Sequence, residues 1–316
     1  MDDTRAGAAG RVPAAARSGT GTGTGTGTAL TDVLSRWYAG AARDLPWRRP
    51  GTGPWAVLVS EVMLQQTPVA RVAPVFQAWV ERWPTPAALA VEPSGEAVRA
   101  WGRLGYPRRA LRLHAAAVTV VEQHGGVLPR TVEGLLALPG VGDYTARAVM
   151  AFAYRERVPV VDTNVRRVVA RAVEGLADAA VTRRDLALVE ALLPADPERA
   201  ATASIALMEL GALICTARAP RCEQCPVRPW CAWVAAGRPE LPAPVRRPQG
   251  FAGTDRQVRG RLLQVLREHP GPVAAGLLAQ VWDEPVQRAR ALDGLVSDGL
   301  VDPLPDGRYA LPGGPA

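Results

Sequence analysis

Leu138-Pro-Gly-Val-Gly-Asp-Tyr-Thr-Ala-Arg-Ala-Val149 is a tight glycine turn that opens directly into a helical pattern. Two glycines let the backbone come close to a ligand, and the unpaired N–H groups at a helix start suit an anionic oxygen. Pro and Gly serve in any helix–helix turn, so this stretch gains its meaning from a second segment downstream. About 20 residues on, Pro159-Val-Val-Asp-Thr-Asn-Val-Arg-Arg-Val168 sets Asp162 at the junction of an apolar run and a helical pattern. One architecture would then grip a ligand and present a carboxylate to it.

Outward from this point, Leu30 to Leu241 reads as repeated short amphipathic helices, with apolar residues at three- and four-residue intervals. Pro84, Pro93, Pro107, Pro129, Pro139, Pro159 and Pro194 punctuate them. Alternating strand-like runs are scarce, which predicts an all-α core. Residues 1–29 are Gly/Ala/Thr-rich, end in a Gly-Thr repeat and read as a disordered tail. Residues 241–250, with Leu241-Pro-Ala-Pro-Val-Arg-Arg-Pro248, read as a linker. Over 251–316 the pattern predicts three helices, Thr254 to Arg267, Val273 to Trp282 and Pro285 to Asp298, and then a hairpin turning at Asp306-Gly307. That is a small winged-helix-like unit, a design that serves DNA contact, protein docking or simple capping.

A chain of 316 residues, 48% hydrophobic, has enough apolar material for two or three compact units. No apolar run approaches the roughly 20 residues that span a bilayer, and no secretory leader is visible, so no membrane role and a cytoplasmic setting are expected. A formal charge of +7 makes a polyanion the natural partner. Every positive side chain among the 37 basic residues is arginine. A Schiff-base mechanism through a side-chain amine is therefore excluded.

All four cysteines fall in Cys215-x6-Cys222-x2-Cys225-x5-Cys231. In a reducing compartment this means one bound metal centre, zinc or iron–sulfur, and spacing alone does not choose between them.

Three segments in fixed order, Val59-Ser-Glu-Val-Met-Leu-Gln-Gln-Thr67, Leu138-Pro-Gly-Val-Gly142 and Val161-Asp-Thr-Asn-Val-Arg-Arg-Val168, together with these cysteines, closely resemble the adenine DNA glycosylases (MutY type) of the helix-hairpin-helix, endonuclease III superfamily. The resemblance spans about residues 30–236. It implies a six-helix barrel with the helix-hairpin-helix over 49–158. It also implies an iron–sulfur helical domain from 30–48 and 159–240, with Cys215, Cys222, Cys225 and Cys231 holding a [4Fe–4S] cluster.

Glu61 lies among apolar neighbours, which would raise its pKa and let it carry a proton at neutral pH. Asp162 suits an N-cap, where the helix terminus favours the ionised form. The resemblance assigns Glu61 as proton donor and Asp162 as stabiliser of an oxocarbenium-like sugar, with Tyr144 and Asn164 placing Asp162 and the reacting sugar by hydrogen bonds. In bifunctional relatives the position of Tyr144 carries the lysine that attacks the sugar, so tyrosine there implies a monofunctional enzyme. By the same resemblance Gln66 and Tyr106 wedge into the duplex, Leu64 belongs to the same DNA-binding segment, and Trp47 and Arg48 lie near the adenine pocket; the residues themselves suit Gly140 and Gly142 to a phosphate and let Arg218 and Arg221 of the cluster loop reach phosphates. The implied reaction is hydrolytic removal of adenine opposite 8-oxoguanine or guanine in double-stranded DNA, leaving an abasic site. The protein is expected to act as a monomer of bacterial type on nucleoid DNA. Relatives commonly read 8-oxoguanine with a Nudix-like domain bearing a Phe-Ser-His-type loop, and Phe251-Ala-Gly-Thr-Asp-Arg256 is not that loop. The rival readings are an endonuclease III-like enzyme for damaged pyrimidines and a catalytically silent iron–sulfur DNA-binding module.

Overall fold

The computed structural model describes residues 23–177, 182–240 and 250–314. Its helices form two bodies with separate apolar cores. The first contains α2 (Pro54–Leu64), α3 (Val69–Arg82), α4 (Pro86–Ala90), α5 (Ser94–Trp101), α6 (Arg108–His124), α7 (Val132–Leu136) and α8 (Asp143–Phe152). Their apolar faces meet around Trp79, Trp83 and Trp101, all buried, with Trp79 edge-on to both of the other rings.

The second body joins segments far apart in sequence. α1 (Gly23–Ala41) packs on α10 (Arg183–Leu192) and α11 (Pro197–Leu213), and α11 also supports α9 (Thr163–Val169). A short π-helical turn at Ala170–Glu174 ends at Gly175 (φ 74°) and packs against α12 (Ala232–Ala235), which follows the cysteine loop. The chain thus leaves this body after α1, builds the first one, and returns. Leu30 and Leu34 are buried here, and tertiary packing carries α1 back to Gly23, inside the Gly-Thr repeat that composition assigns to a disordered tail. Residues 1–22 of that tail, and 241–249 of the expected linker, lie outside the described residues.

After Gly250 come α13 (Asp255–Glu268), β1 (Val273–Ala274), α14 (Ala275–Ala279), α15 (Pro285–Ser297), β2 (Asp302–Pro303) and β3 (Arg308–Ala310). The sheet order is β1-β3-β2, antiparallel throughout, and Gly307 takes the left-handed conformation in the hairpin turn (φ 80°). This is the winged-helix order of elements. One expectation changes: Val273 begins a strand, not a helix, because it pairs with Tyr309 across the sheet.

The unit is docked on α5. The amide of Gly95 donates to the Pro312 carbonyl (2.7 Å), Arg267 Nε donates to the Val98 carbonyl (2.9 Å), and Arg99 Nη1 donates to the His269 carbonyl (2.8 Å). Arg108 at the start of α6 pairs with Asp298 at 3.2 Å. Gly95 leaves no room for a side chain, since a Cβ there would lie 2.7 Å from the Pro312 carbonyl oxygen and 2.8 Å from Leu311 Cβ. Gly95→Val is therefore expected to loosen the C-terminal unit at a cost of about 1–3 kcal/mol. Faster hydrogen exchange at the amides of 308–313, with exchange in α2 unchanged, is the measurement that checks this.

Candidate active site and cluster loop

α2 starts with Pro54 at its first turn and is buried along most of its length. Burial includes Glu61, 6% exposed on a helix of otherwise apolar core residues. Enclosure pushes its carboxyl up to about 7; the hydrogen bond from Tyr144 opposes the rise, the nearby charge of Asp162 adds to it, and Arg48 opposes it. Glu61 can therefore both hold and release a proton near neutrality.

Asp162 caps α9: one carboxylate oxygen accepts the Val165 amide at 2.7 Å, and the other accepts Asn164 Nδ2 at 2.8 Å. Asn164 is itself held by Arg167, whose Nη2 donates to Asn164 Oδ1 at 2.7 Å and to the Gly211 carbonyl at 2.8 Å. Nε of the same guanidinium donates to the Cys215 carbonyl at 2.7 Å. A hydrogen-bonded chain thus runs from the Asp162 carboxylate to the backbone of the first cysteine. Gly211 is required where α9 crosses α11, because a Cβ would lie 2.7 Å from Asn164 Cβ.

Tyr144 sits in the first turn of α8. Its hydroxyl is enclosed, and burial, reinforced by the Glu61 and Asp162 charges, pushes it well above the ordinary phenol range, so it stays a neutral donor to Glu61. The turn before α8 has Gly140 at φ 77°, where a Cβ would lie 2.7 Å from Arg112 Cβ. Gly142 caps α8 and faces open space, leaving its helix-start amides accessible.

Arg48 is turned toward Glu61 and Tyr144 by Glu209, which is fully buried. Burial alone would raise the Glu209 carboxyl. Its bonds to Arg43 (2.7 Å) and Arg48 (3.0 Å) outweigh that and hold it below the usual range. Trp47, beside Arg48, is buried and lies edge-on to Phe76 at 5.4 Å between centroids.

Leu64 is half-buried at the end of α2, while Gln66 and Tyr106 are exposed on neighbouring loops. Both take left-handed backbones, φ 56° and 46°. Glu209, Arg167 and Arg109 escape sequence reasoning, although an isolated Glu in Ala206-Leu-Met-Glu-Leu-Gly211 was a signal to be found.

Cys215, Cys222, Cys225 and Cys231 are free thiols lining one small cavity, partly open to solvent, with Arg171, Pro220 and Trp233. Among the described residues no three His, Cys, Asp or Glu side chains converge closely enough to share a single ion. Four thiols around one cavity fit a metal centre held by four thiolates. Arg171 Nη1 approaches Cys215 Sγ at 3.5 Å and also donates to the Thr216 carbonyl at 2.8 Å, while its guanidinium stacks on Trp233. Burial pushes the Cys225 thiol up to about 11, a cost that bound iron would offset. Arg218 and Arg221 are exposed on this loop, Arg221 also donating to the Leu213 carbonyl.

Residues 59–190 match the HhH-GPD superfamily of base excision DNA repair proteins, and residues 215–231 match the iron–sulfur binding domain of endonuclease III. The backbone resembles a thermostable thymine-DNA glycosylase, with a TM-score of 0.61 and 27% identity over 66% of this chain and 97% of that one. Fold and site together fall in the helix-hairpin-helix class of base-excision glycosylases with a [4Fe–4S] cluster. The adenine DNA glycosylase of Mycolicibacterium smegmatis is 59% identical over 89% of this chain and 95% of its own length. That of Mycobacterium tuberculosis is 58% identical over 90% and 93%. The chain belongs to the adenine DNA glycosylase family.

The geometry has two measurable outcomes. The unfolded carboxyl of Glu61 titrates near 4.5 and the folded one near 7. Between those values the native state keeps a proton that the unfolded chain has lost. The stability this proton contributes is complete below 4.5 and lost as pH rises through 7. Urea unfolding across that range should show the wild type losing roughly 3 kcal/mol relative to Glu61→Gln. Separately, anaerobically purified protein should carry about four iron atoms. Cys222→Ser should lose iron and solubility together, as read by iron assay and recovery in the soluble fraction.

Proposed function

We propose that the protein is a monofunctional glycosylase that flips adenine from a mispair with 8-oxoguanine or guanine in double-stranded DNA and hydrolyses its N-glycosidic bond. The observation that carries this is the pairing of two carboxyl groups in opposite environments: Glu61 enclosed by apolar helix, Asp162 on a helix N-terminus held by polar donors. Adenine leaves readily only when a ring nitrogen is protonated. Glu61 supplies that proton; the bond between the sugar C1′ and the base nitrogen breaks, and its electron pair departs with the base. The Asp162 carboxylate offsets the positive charge that develops on the sugar. Water then adds to C1′ and gives its proton to the Glu61 carboxylate, which restores the acid and leaves an abasic site. Tyr144 holds Glu61 through its hydroxyl, and Asn164 fixes the Asp162 carboxylate. With no lysine in the chain, the strand is left uncut by amine chemistry.

Gly140 and Gly142 with the start of α8 suit one phosphate, and exposed Arg218 suits another beside the cluster loop. The winged-helix-like unit is a poor second reader of DNA. It carries seven arginines against eight acidic side chains, and Glu284 already occupies the N-terminus of α15, accepting the Val286 amide at 2.8 Å. The working place is the cytoplasm of a bacterial-type cell, on nucleoid DNA, as a monomer.

Single-turnover assays on duplexes with adenine opposite 8-oxoguanine, adenine opposite guanine, or one oxidised pyrimidine test the reading. Adenine release from the first two is expected, falling as pH rises through about 7. Asp162→Asn and Glu61→Gln should each lower it by about 10²-fold or more while mispair binding persists. Release of the oxidised pyrimidine with adenine untouched would overturn it.

A further inference from the structure

We infer that Arg109 is a positioning residue for base extrusion, fastening the Gln66 and Tyr106 loops into one rigid wedge before DNA arrives. The inference rests on the proposed base-flipping reaction and adds a residue to it. Gln66 and Tyr106 are exposed, yet both hold left-handed backbones, a conformation that is unfavourable for L residues. Exposed loops relax out of such conformations unless something beneath them forbids it.

Arg109, 7% exposed in the first turn of α6, lies beneath both. Nη1 donates to the carbonyls of Val62 (2.8 Å), Met63 (3.1 Å) and Gln65 (2.6 Å), the unpaired end of α2 and the residue before Gln66. Nη2 donates to Thr67 Oγ1 (3.0 Å) just after Gln66, and to the Gly105 carbonyl (3.0 Å) just before Tyr106. Thr67 Oγ1 in turn donates to the Leu104 carbonyl at 3.3 Å, closing the link between the loops. The guanidinium also lies against the Tyr106 ring, 5.6 Å from its centroid, with Trp101 at 5.1 Å.

Among the described residues no carboxylate pairs with this cation. Its charge is answered by carbonyl dipoles at the C-terminus of α2, the helix that carries Glu61. A lysine could not span the two loops, because only a planar fork reaches this many acceptors at once. The expected wedge residues and the proton donor are therefore set relative to each other by one side chain.

The test uses the full-length, cluster-loaded protein and a duplex with 2-aminopurine in the adenine position opposite 8-oxoguanine, whose fluorescence rises on unstacking, alongside single-turnover adenine excision. Arg109→Gln, with iron content and melting checked, should slow both by about tenfold to a hundredfold, the effect of misplacing a reacting group by roughly 1 Å. Arg109→Lys should not rescue. Tyr106→Ala should impair unstacking too, and adding Arg109→Gln to it should cost little more, because the arginine acts through that loop. Should Arg109→Gln fail to fold, Thr67→Val decides, with a milder loss of the same signal expected. Wild-type unstacking in Arg109→Gln or in Thr67→Val, or losses that multiply with Tyr106→Ala, would overturn the inference while leaving the glycosylase reading intact. Unchanged unstacking in both Gln66→Ala and Tyr106→Ala would remove the wedge and the inference together.

Discussion

The Arg167 guanidinium is the fixed point behind the candidate active site. An N-cap alone would leave the second carboxylate oxygen of Asp162 free to rotate. Asn164 removes that freedom, and Arg167 removes it from Asn164 by binding Oδ1, so that Nδ2 has to face the aspartate. Because the same guanidinium also takes the carbonyls of Gly211 and Cys215, the aspartate's geometry is referred to α11 and to the first residue of the cysteine loop. A loop ordered by a bound cluster would therefore also hold the Asp162 cap, through Arg167. Order in the cysteine loop fixes the Cys215 carbonyl, and that carbonyl fixes the arginine.

The same solution recurs wherever this chain joins elements. Arg109, Arg166, Arg167 and Arg171 are all buried. Arg166 bridges Glu174 (2.6 Å) and Asp185 (3.0 Å), whereas the other three spend most of their donors on backbone carbonyls. A planar fork is weakly hydrated and can satisfy several carbonyls at fixed angles, so burying it is less unfavourable than burying an ammonium. A lysine would fit at none of these four junctions. Consequently pI overstates the charge available to a polyanion: part of the formal +7 lies inside the protein, tying loops together.

Much of the site was legible in the sequence because its chemistry is local. The Asp162 cap, the glycine turn before Tyr144, the apolar setting of Glu61 and the four cysteines each lie in one short segment, where residue type and spacing carry the physics. What escaped depends on partners distant in the chain. Glu209 and Arg43 are 166 residues apart, and Arg167 reaches Cys215 across 48 residues. The packing of Trp47 on Phe76, 29 residues on in the chain, was hidden for the same reason. The start of α1 was hidden because Gly and Thr oppose a helix locally, and only its packing on α11 overrides them.

The position of the winged-helix-like unit bears on the wedge loops as well. Asp298 at the end of α15 takes Arg108 from α6 and Arg259 from α13, which anchors the residue next to Arg109 to the C-terminal unit. Arg99 and Arg267 bury their donors in the joint with α5, and burial alone lowers Arg267 to about 10. A unit that neutralises its arginines internally and commits others to docking has little charge left for phosphates. It does stiffen the α5–α6 corner from which the Tyr106 loop springs. A wedge keeps its shape against a base stack only if its base is rigid, and here that base is held from α2 by Arg109 and from the C-terminal unit through Arg108.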